Sequence, residues 1–227
     1  MVEPLRQPPT LHGFLIGAGV VVLLAAIGAL HYWFVDRWRT REYARFCLER
    51  GFTFEHDRPE EVKRHLTGCP LFNEGHGRSW GYTISGTHAG APFTAFEYEW
   101  ETGQGRGRRS HVIGAMVWTL DRSLPEFMLT PEGFWDMLAV VFGGQDIDFE
   151  DASTFSQAYR LRGADEAAVR GLFTPALRHT FAVDLGQHVG GGGHELLWWR
   201  PGRLPPPVGF DQFLMEGERI HRLFASE

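Results

Sequence analysis

The run Glu101–Arg109 (ETGQGRGRR) sets Arg106, Arg108 and Arg109 among three glycines. That composition suits an anion, because glycine lets backbone amides approach and arginine supplies charge with forked donors. Neither G-x-G-x-x-G nor G-x-x-x-x-G-K-[ST] is satisfied, however, and no helix follows to offer its N-terminus. Lying between two strand candidates, the run reads as a long hairpin loop, and its functional reading is contact with a small anion or lipid headgroup. His188 and His194 flank four glycines with His179 nearby. Two imidazoles on a tether could meet at a metal, but no cysteine or carboxylate cluster completes three or four ligands, so a loop tip is expected and no metal. His194-Glu195 lacks the second histidine of H-E-x-x-H. Asp146, Asp148, Glu150 and Asp151 resemble the start of a calcium loop, yet Asp151 and Gln157 stand where an EF-hand needs Gly and Glu, which leaves a solvated acidic loop.

Nucleophilic chemistry has no better signature. Ser85-Gly86 lacks the G-x-S-x-G elbow, and neither Cys47 nor Cys69 has a context that argues for activation. Two cysteines without close spacing read as reduced thiols. No catalytic residue is assigned and no motif calls for a cofactor; a hydrolase whose residues converge only on folding is the enzyme alternative.

The elements around these residues say more. From Gly13 to Leu30 there are 18 residues without a charge (GFLIGAGVVVLLAAIGAL), and apart from His31 the apolar character continues to Val35. At 1.5 Å per residue, 18 residues give roughly 27 Å and 23 give roughly 35 Å, bracketing a hydrocarbon core of about 30 Å. Apolar side chains run all round, as a spanning helix permits. Tyr32, Trp33 and Trp38 fall at the exit, where amphipathic rings favour the headgroup level. Arg37, Arg39, Arg41 and Arg45 follow the span, against Arg6 alone before it, so the positive-inside bias puts the C-terminal bulk in the cytoplasm. A cleaved signal fits less well: its leader would be nearly neutral, its apolar run too long, and Ala26-Ile27-Gly28 is followed by more apolar sequence. Gly13 and Gly17 form a small-xxx-small pair compatible with a homodimer. The expected organisation is a tail at 1–12, a transmembrane helix at 13–35, a helical stem at 36–50 closed by Gly51, and a domain at 51–227.

In that domain Phe52 and Phe54 open a short strand, and Pro59–Leu66 reads as a short helix. Ser79–Thr87, Phe93–Glu101 and Ser110–Asp121 are β-branched and aromatic runs separated by glycine-containing turns. The middle run alternates, with Phe96, Tyr98 and Trp100 on an apolar face and Glu97 and Glu99 on a wetter one. The third is apolar on both faces, as in a central strand. Thr130-Pro131-Glu132 reads as a helix start, with a stripe through Phe134, Trp135, Leu138, Val141 and Phe142. Helices are also expected over Asp165–Leu172, from Thr174-Pro175 to Phe181, and over Val208–Phe224, with a hairpin between Gln187 and Arg200. In that hairpin Trp198 and Trp199 point to opposite faces; a contact surface for one of them is the alternative, and core packing on both sides is the expectation. Strict βαβ alternation is absent, so the fold class is α+β: an antiparallel sheet with flanking helices behind one transmembrane helix.

The chain of 227 residues carries 22 Lys/Arg against 28 Asp/Glu, and Lys63 is its one lysine. Residues 46–227 hold 17 of the basic and 25 of the acidic residues, a balance of about −8 that disfavours nucleic acid as a partner. A basic-flanked membrane helix, the strand at 91–101, an Arg-rich hairpin and DIDFEDASTFSQAYRLRGADEAAVRGLFTPALR at 146–178 together resemble an uncharacterised family of bacterial membrane-anchored proteins, a domain of unknown function. The resemblance implies bacterial origin and membrane attachment, and carries no activity or ligand. The sequence thus points to the bacterial inner membrane, with the bilayer as a partner through residues 13–35. The cytoplasmic domain would act as an interaction or scaffold module with a protein partner. A sensor using Arg106, Arg108 and Arg109, with Arg37, Arg39 and Arg41 at the lipid surface, is the alternative.

Overall fold

The computed structural model describes residues 11–56, 69–73, 75–133 and 146–225. The expected helix at Pro59–Leu66 and the stripe from Phe134 to Phe142 lie outside them. The chain divides into two compact units, Met1–Glu42 and Tyr43–Glu227.

In the first unit helix α1 (Leu11–Arg50) begins. From Ala18 it is long and apolar enough to cross a membrane, with mean hydropathy 2.0 in its best 18-residue window and none of that window buried. Val21 is 66% exposed and Leu24 62%, so among the described residues no packing accounts for this apolar surface. At the end of the apolar run the Arg37 guanidinium lies 5.6 Å from the Trp33 ring centroid.

In the second unit, the last turns of α1 belong to the domain core, where Tyr43 and Cys47 are buried. The Tyr43 hydroxyl donates to the Leu204 carbonyl at 3.3 Å and to that of Pro205. The helix stops where the sequence places its cap: Gly51 takes φ +70° and the Phe52 N–H returns to the Cys47 carbonyl at 2.8 Å.

Six strands form one antiparallel sheet: β1 (Thr53–Glu55), β2 (His76–His88), β3 (Ala91–Thr102), β4 (Arg109–Pro131), β5 (Tyr159–Gly163) and β6 (His188–Pro201). The order is β1-β2-β3-β4-β5, with β6 also paired to β4. β4 is the spine. Its first half pairs with β3 (Phe93 opposite Trp118) and its end with β5 (Leu129 opposite Leu161), while β6 runs along it from Ile113 to Leu129. One sheet face, carrying Phe93, Met116, Trp118, Leu161 and Trp198, packs against α1, α2 (Ser153–Ala158), α3 (Glu166–Leu172), α4 (Pro175–Val183) and α5 (Pro207–Ala225). The other gathers Phe96, Tyr98, Trp100, Ile113 and Trp199 under Leu71 and Phe72 of a short 3-10 turn, Pro70–Asn73. The α+β class and the antiparallel sheet match the sequence reading.

Several local readings are corrected. Thr130 and Pro131 are not the cap and first turn of a helix but the end of β4, Thr130 opposite Arg160 and Pro131 opposite Tyr159. Proline is tolerated at a strand end, and pairing across the sheet overrides a local cap signal. Gln187–Arg200 is no hairpin but the body of β6. Its glycines make room instead of turning the chain, since a Cβ on Gly191 would sit 2.5 Å from the Phe127 ring. Much of the second face of β3 is dry, because helices cover Phe93 and Ala95 and Glu97 is buried with them, leaving Glu99 partly exposed toward the strand's end. Trp198 and Trp199 point to opposite faces and both are buried, so the expected core packing on both sides holds.

Candidate functional site

The arginine hairpin forms as expected between β3 and β4. Gly103 takes φ +74°, and a Cβ there would meet the Gly107 carbonyl at 2.4 Å, so the turn requires glycine. One of the hairpin's three arginines is matched from within the sheet. Arg108 donates to Glu101, and that hydrogen bond, reinforced by the nearby positive charge, holds the Glu101 carboxyl below its usual range. Ser110 donates to Glu99 at 2.9 Å, and Glu99 also receives Arg203 at 3.2 Å. Arg106 and Arg109 are exposed. Of the other sequence-assigned arginines, Arg37 and Arg41 are exposed on α1 and Arg39 is half-buried, all in the first unit.

The histidines do not converge. His188 and His194 are six residues apart on extended β6, about 20 Å by strand geometry. This replaces the expected loop tip. His188 is 5% exposed with its ring 5.3 Å from Trp199, and burial pushes its pKa down to about 4. Among the described residues no group of three His, Cys, Asp or Glu could hold a metal ion. Both thiols are pushed up by burial, Cys47 to about 11 and Cys69 to about 12, which opposes thiolate chemistry.

A concave feature among the described residues lies elsewhere, beside the segment the sequence reads as a solvated acidic loop. Ile147 and Phe149 of that segment are buried while its four carboxylate residues are exposed, and two of them are paired: Asp146 accepts from Arg162 at 2.5 Å and Asp151 from Arg178. Two short helices position the cleft that results. α4 begins with Thr174 accepting the Leu177 N–H at 3.3 Å and Pro175 in its first turn, a geometry that fixes where Arg178 and His179 emerge. α2 follows the acidic turn through the Ala152 N–H, which donates to the Phe149 carbonyl at 3.1 Å.

Between α2 and α4 opens a cleft of about 300 Å³. Asp151, Ser153, Thr154, Arg178 and His179 form its polar side; Phe155, Pro175 and Ala182 form the apolar wall. Arg178 donates through Nη1 and Nη2 to the two Asp151 oxygens at 2.5 and 3.0 Å, and its guanidinium carbon lies 4.1 Å from the Phe149 ring centroid. The hydrogen bonds from Arg178 hold the Asp151 carboxyl below the usual range. The arrangement presents a two-point guanidinium edge suited to a carboxylate or phosphate oxygen pair, here filled by Asp151.

Sequence reasoning missed this pair because 27 residues separate its members and neither sits in a motif. The same holds for His88, whose Nε2 lies 3.1 Å from Glu218 on α5 across 130 residues, and for the buried Glu97. The acidic lead to α2 was the available signal: four carboxylates interleaved with Ile147 and Phe149 describe a segment with one buried face.

No protein-family model matches the chain, and no curated protein is detectably similar to it in sequence. A solved structure is similar in fold. It is the mycobacterial trehalose monomycolate transport factor A, TtfA, at TM-score 0.54 and 12% identity, covering 82% of this chain and 94% of that one. The likeness in fold therefore spans nearly the whole of the TtfA chain.

Proposed function

We propose that this chain is a bacterial inner-membrane protein tethered by residues 13–35, whose cytoplasmic domain works by contact as a scaffold or accessory factor in lipid transport. The observation that carries the reading is the open apolar surface of α1, where Val21, Leu24 and Leu30 are each more than 60% exposed over a window hydrophobic enough to span. The arginines after the span favour a cytoplasmic domain. The lipid assignment draws on the TtfA fold, since that protein is named for the transport of a lipid, trehalose monomycolate.

Alkaline carbonate extraction tests the tether. The full chain should stay with the membrane pellet. Leu24→Arg, which places a charge at mid-span at a cost of roughly 3 kcal/mol, should move a measurable share to the supernatant. Release of the unaltered chain would overturn the reading. For the lipid role, deleting the gene in its host should slow export of pulse-labelled envelope lipid while synthesis continues; unchanged export would remove that part.

A further inference from the structure

We propose that the cleft between α2 and α4 is a binding site for a phosphate or carboxylate group, held by Arg178, and that Asp151 occupies this site as an internal stand-in for the ligand. The inference does not depend on the tether or the transport role.

Three observations point to it. The first is an asymmetry in burial: the Arg178 side chain is 7% exposed, whereas that of its partner Asp151 is 69% exposed at the mouth of the cleft. A buried cation needs an anion, but nothing requires that anion to be covalently part of the chain. An exposed carboxylate leaves its partner at little cost because water takes over its solvation. The second is preorganisation. Phe149 lies under the guanidinium at 4.1 Å and fixes its plane, while Nη1 and Nη2 present the parallel pair of donors that a phosphate or carboxylate accepts. The Arg178 Nε–H has no hydrogen-bond acceptor, so the guanidinium retains donor capacity. The third is space. A volume of about 300 Å³ lies at the lower end of ligand sites, with room for an anion carrying a short organic substituent. Ser153 and Thr154 offer hydroxyls beside it, and Phe155 and Pro175 supply an apolar wall for the substituent.

On binding, the incoming anion takes both guanidinium donors and Asp151 swings into solvent. No covalent step is involved. The ligand chemistry is shared by a free phosphate compound and a lipid headgroup, and the probes must separate the two.

The test is thermal unfolding of the detergent-solubilised full chain, titrated with inorganic phosphate and, separately, with dihexanoyl phosphatidic acid below its micellar concentration. Saturable stabilisation by phosphate identifies a free-anion site; saturation by the short-chain lipid alone identifies a headgroup site. Asp151→Asn removes the competing charge while keeping the shape, and should lower the half-saturating concentration of the active probe roughly tenfold. Arg178→Gln should abolish the response, with retention of the sheet checked by far-UV circular dichroism. Because Arg178→Gln could lose the fold, the gain with Asp151→Asn is the decisive arm. Absence of saturable stabilisation by either probe in both the wild type and Asp151→Asn overturns the proposal, as does an Asp151→Asn protein no more responsive than wild type.

Discussion

Glu97, in the middle of β3, accepts the Leu204 backbone N–H at 3.1 Å and the Arg203 guanidinium at 3.0 Å, with the glutamate 2% exposed. The carboxylate thereby ties the segment between β6 and α5 back onto the sheet. Glu97→Ala leaves a buried N–H unsatisfied and Arg203 without this partner, and should lower stability by about 2–4 kcal/mol. Glu97→Gln keeps an acceptor for Leu204 and should cost less than half as much. Urea unfolding midpoints of the two variants measure the difference; equal midpoints would mean the clamp contributes nothing.

His188 predicts an acid-sensitive fold. Its folded pKa is pushed down to about 4 by burial, against 6.5 for the ordinary side chain. Between those values the unfolded chain binds a proton that the folded chain excludes, so stability falls as pH drops from about 6.5 and the loss levels off below about 4. The full effect is on the order of 3 kcal/mol. His221 and His111, lowered chiefly by burial, act in the same direction. His188→Phe keeps a ring against Trp199 without the proton and should flatten the slope in that window. An unaltered slope in thermal melts between pH 7 and 4 would contradict the assignment.

Local patterning made much of the fold legible. Asp165 and Thr174 cap α3 and α4 where the sequence places their starts, and the alternation in β3 put Phe96, Tyr98 and Trp100 on one face. The failures share a cause. Pro131 and the glycines of β6 are local breakers whose meaning is set by strands remote in sequence: Tyr159 lies opposite Pro131, and the Phe127 ring crowds Gly191. The cleft was illegible for the same reason, because Asp151 and Arg178 become partners only once α2 and α4 dock. The arginine hairpin was legible as a loop, but its charge matching by Glu101 depends on the register of β3 and β4.

Gly163 illustrates a steric constraint that propensity would misjudge. It ends β5 opposite Phe127, and a Cβ there would lie 2.5 Å from the Glu126 carbonyl oxygen and 2.7 Å from a Val169 methyl. Alanine is ordinarily the better residue in regular structure, yet here backbone must shift to admit one carbon. Gly163→Ala should destabilise by about 1–3 kcal/mol and loosen the contact of α3 with the sheet. Hydrogen exchange at the Val169 amide should rise with it, and unchanged protection would show that β5 accommodates the methyl group.

The hairpin arginines and the cleft make opposite predictions for anion binding. Arg108 is engaged by Glu101, and Arg106 and Arg109 stand exposed in solvent, so an anion approaching the hairpin meets one matched and two fully hydrated cations. Converting Arg106 and Arg109 together to alanine should leave the phosphate response of the full chain unchanged and its stability within about 0.5 kcal/mol, as for other exposed substitutions. Loss of the response in that double variant, with Arg178 intact, would assign anion recognition to the hairpin instead. The same titration repeated at 0.5 M salt sharpens the comparison: exposed loop arginines are screened strongly at that ionic strength, whereas a guanidinium as buried as that of Arg178 keeps most of its attraction.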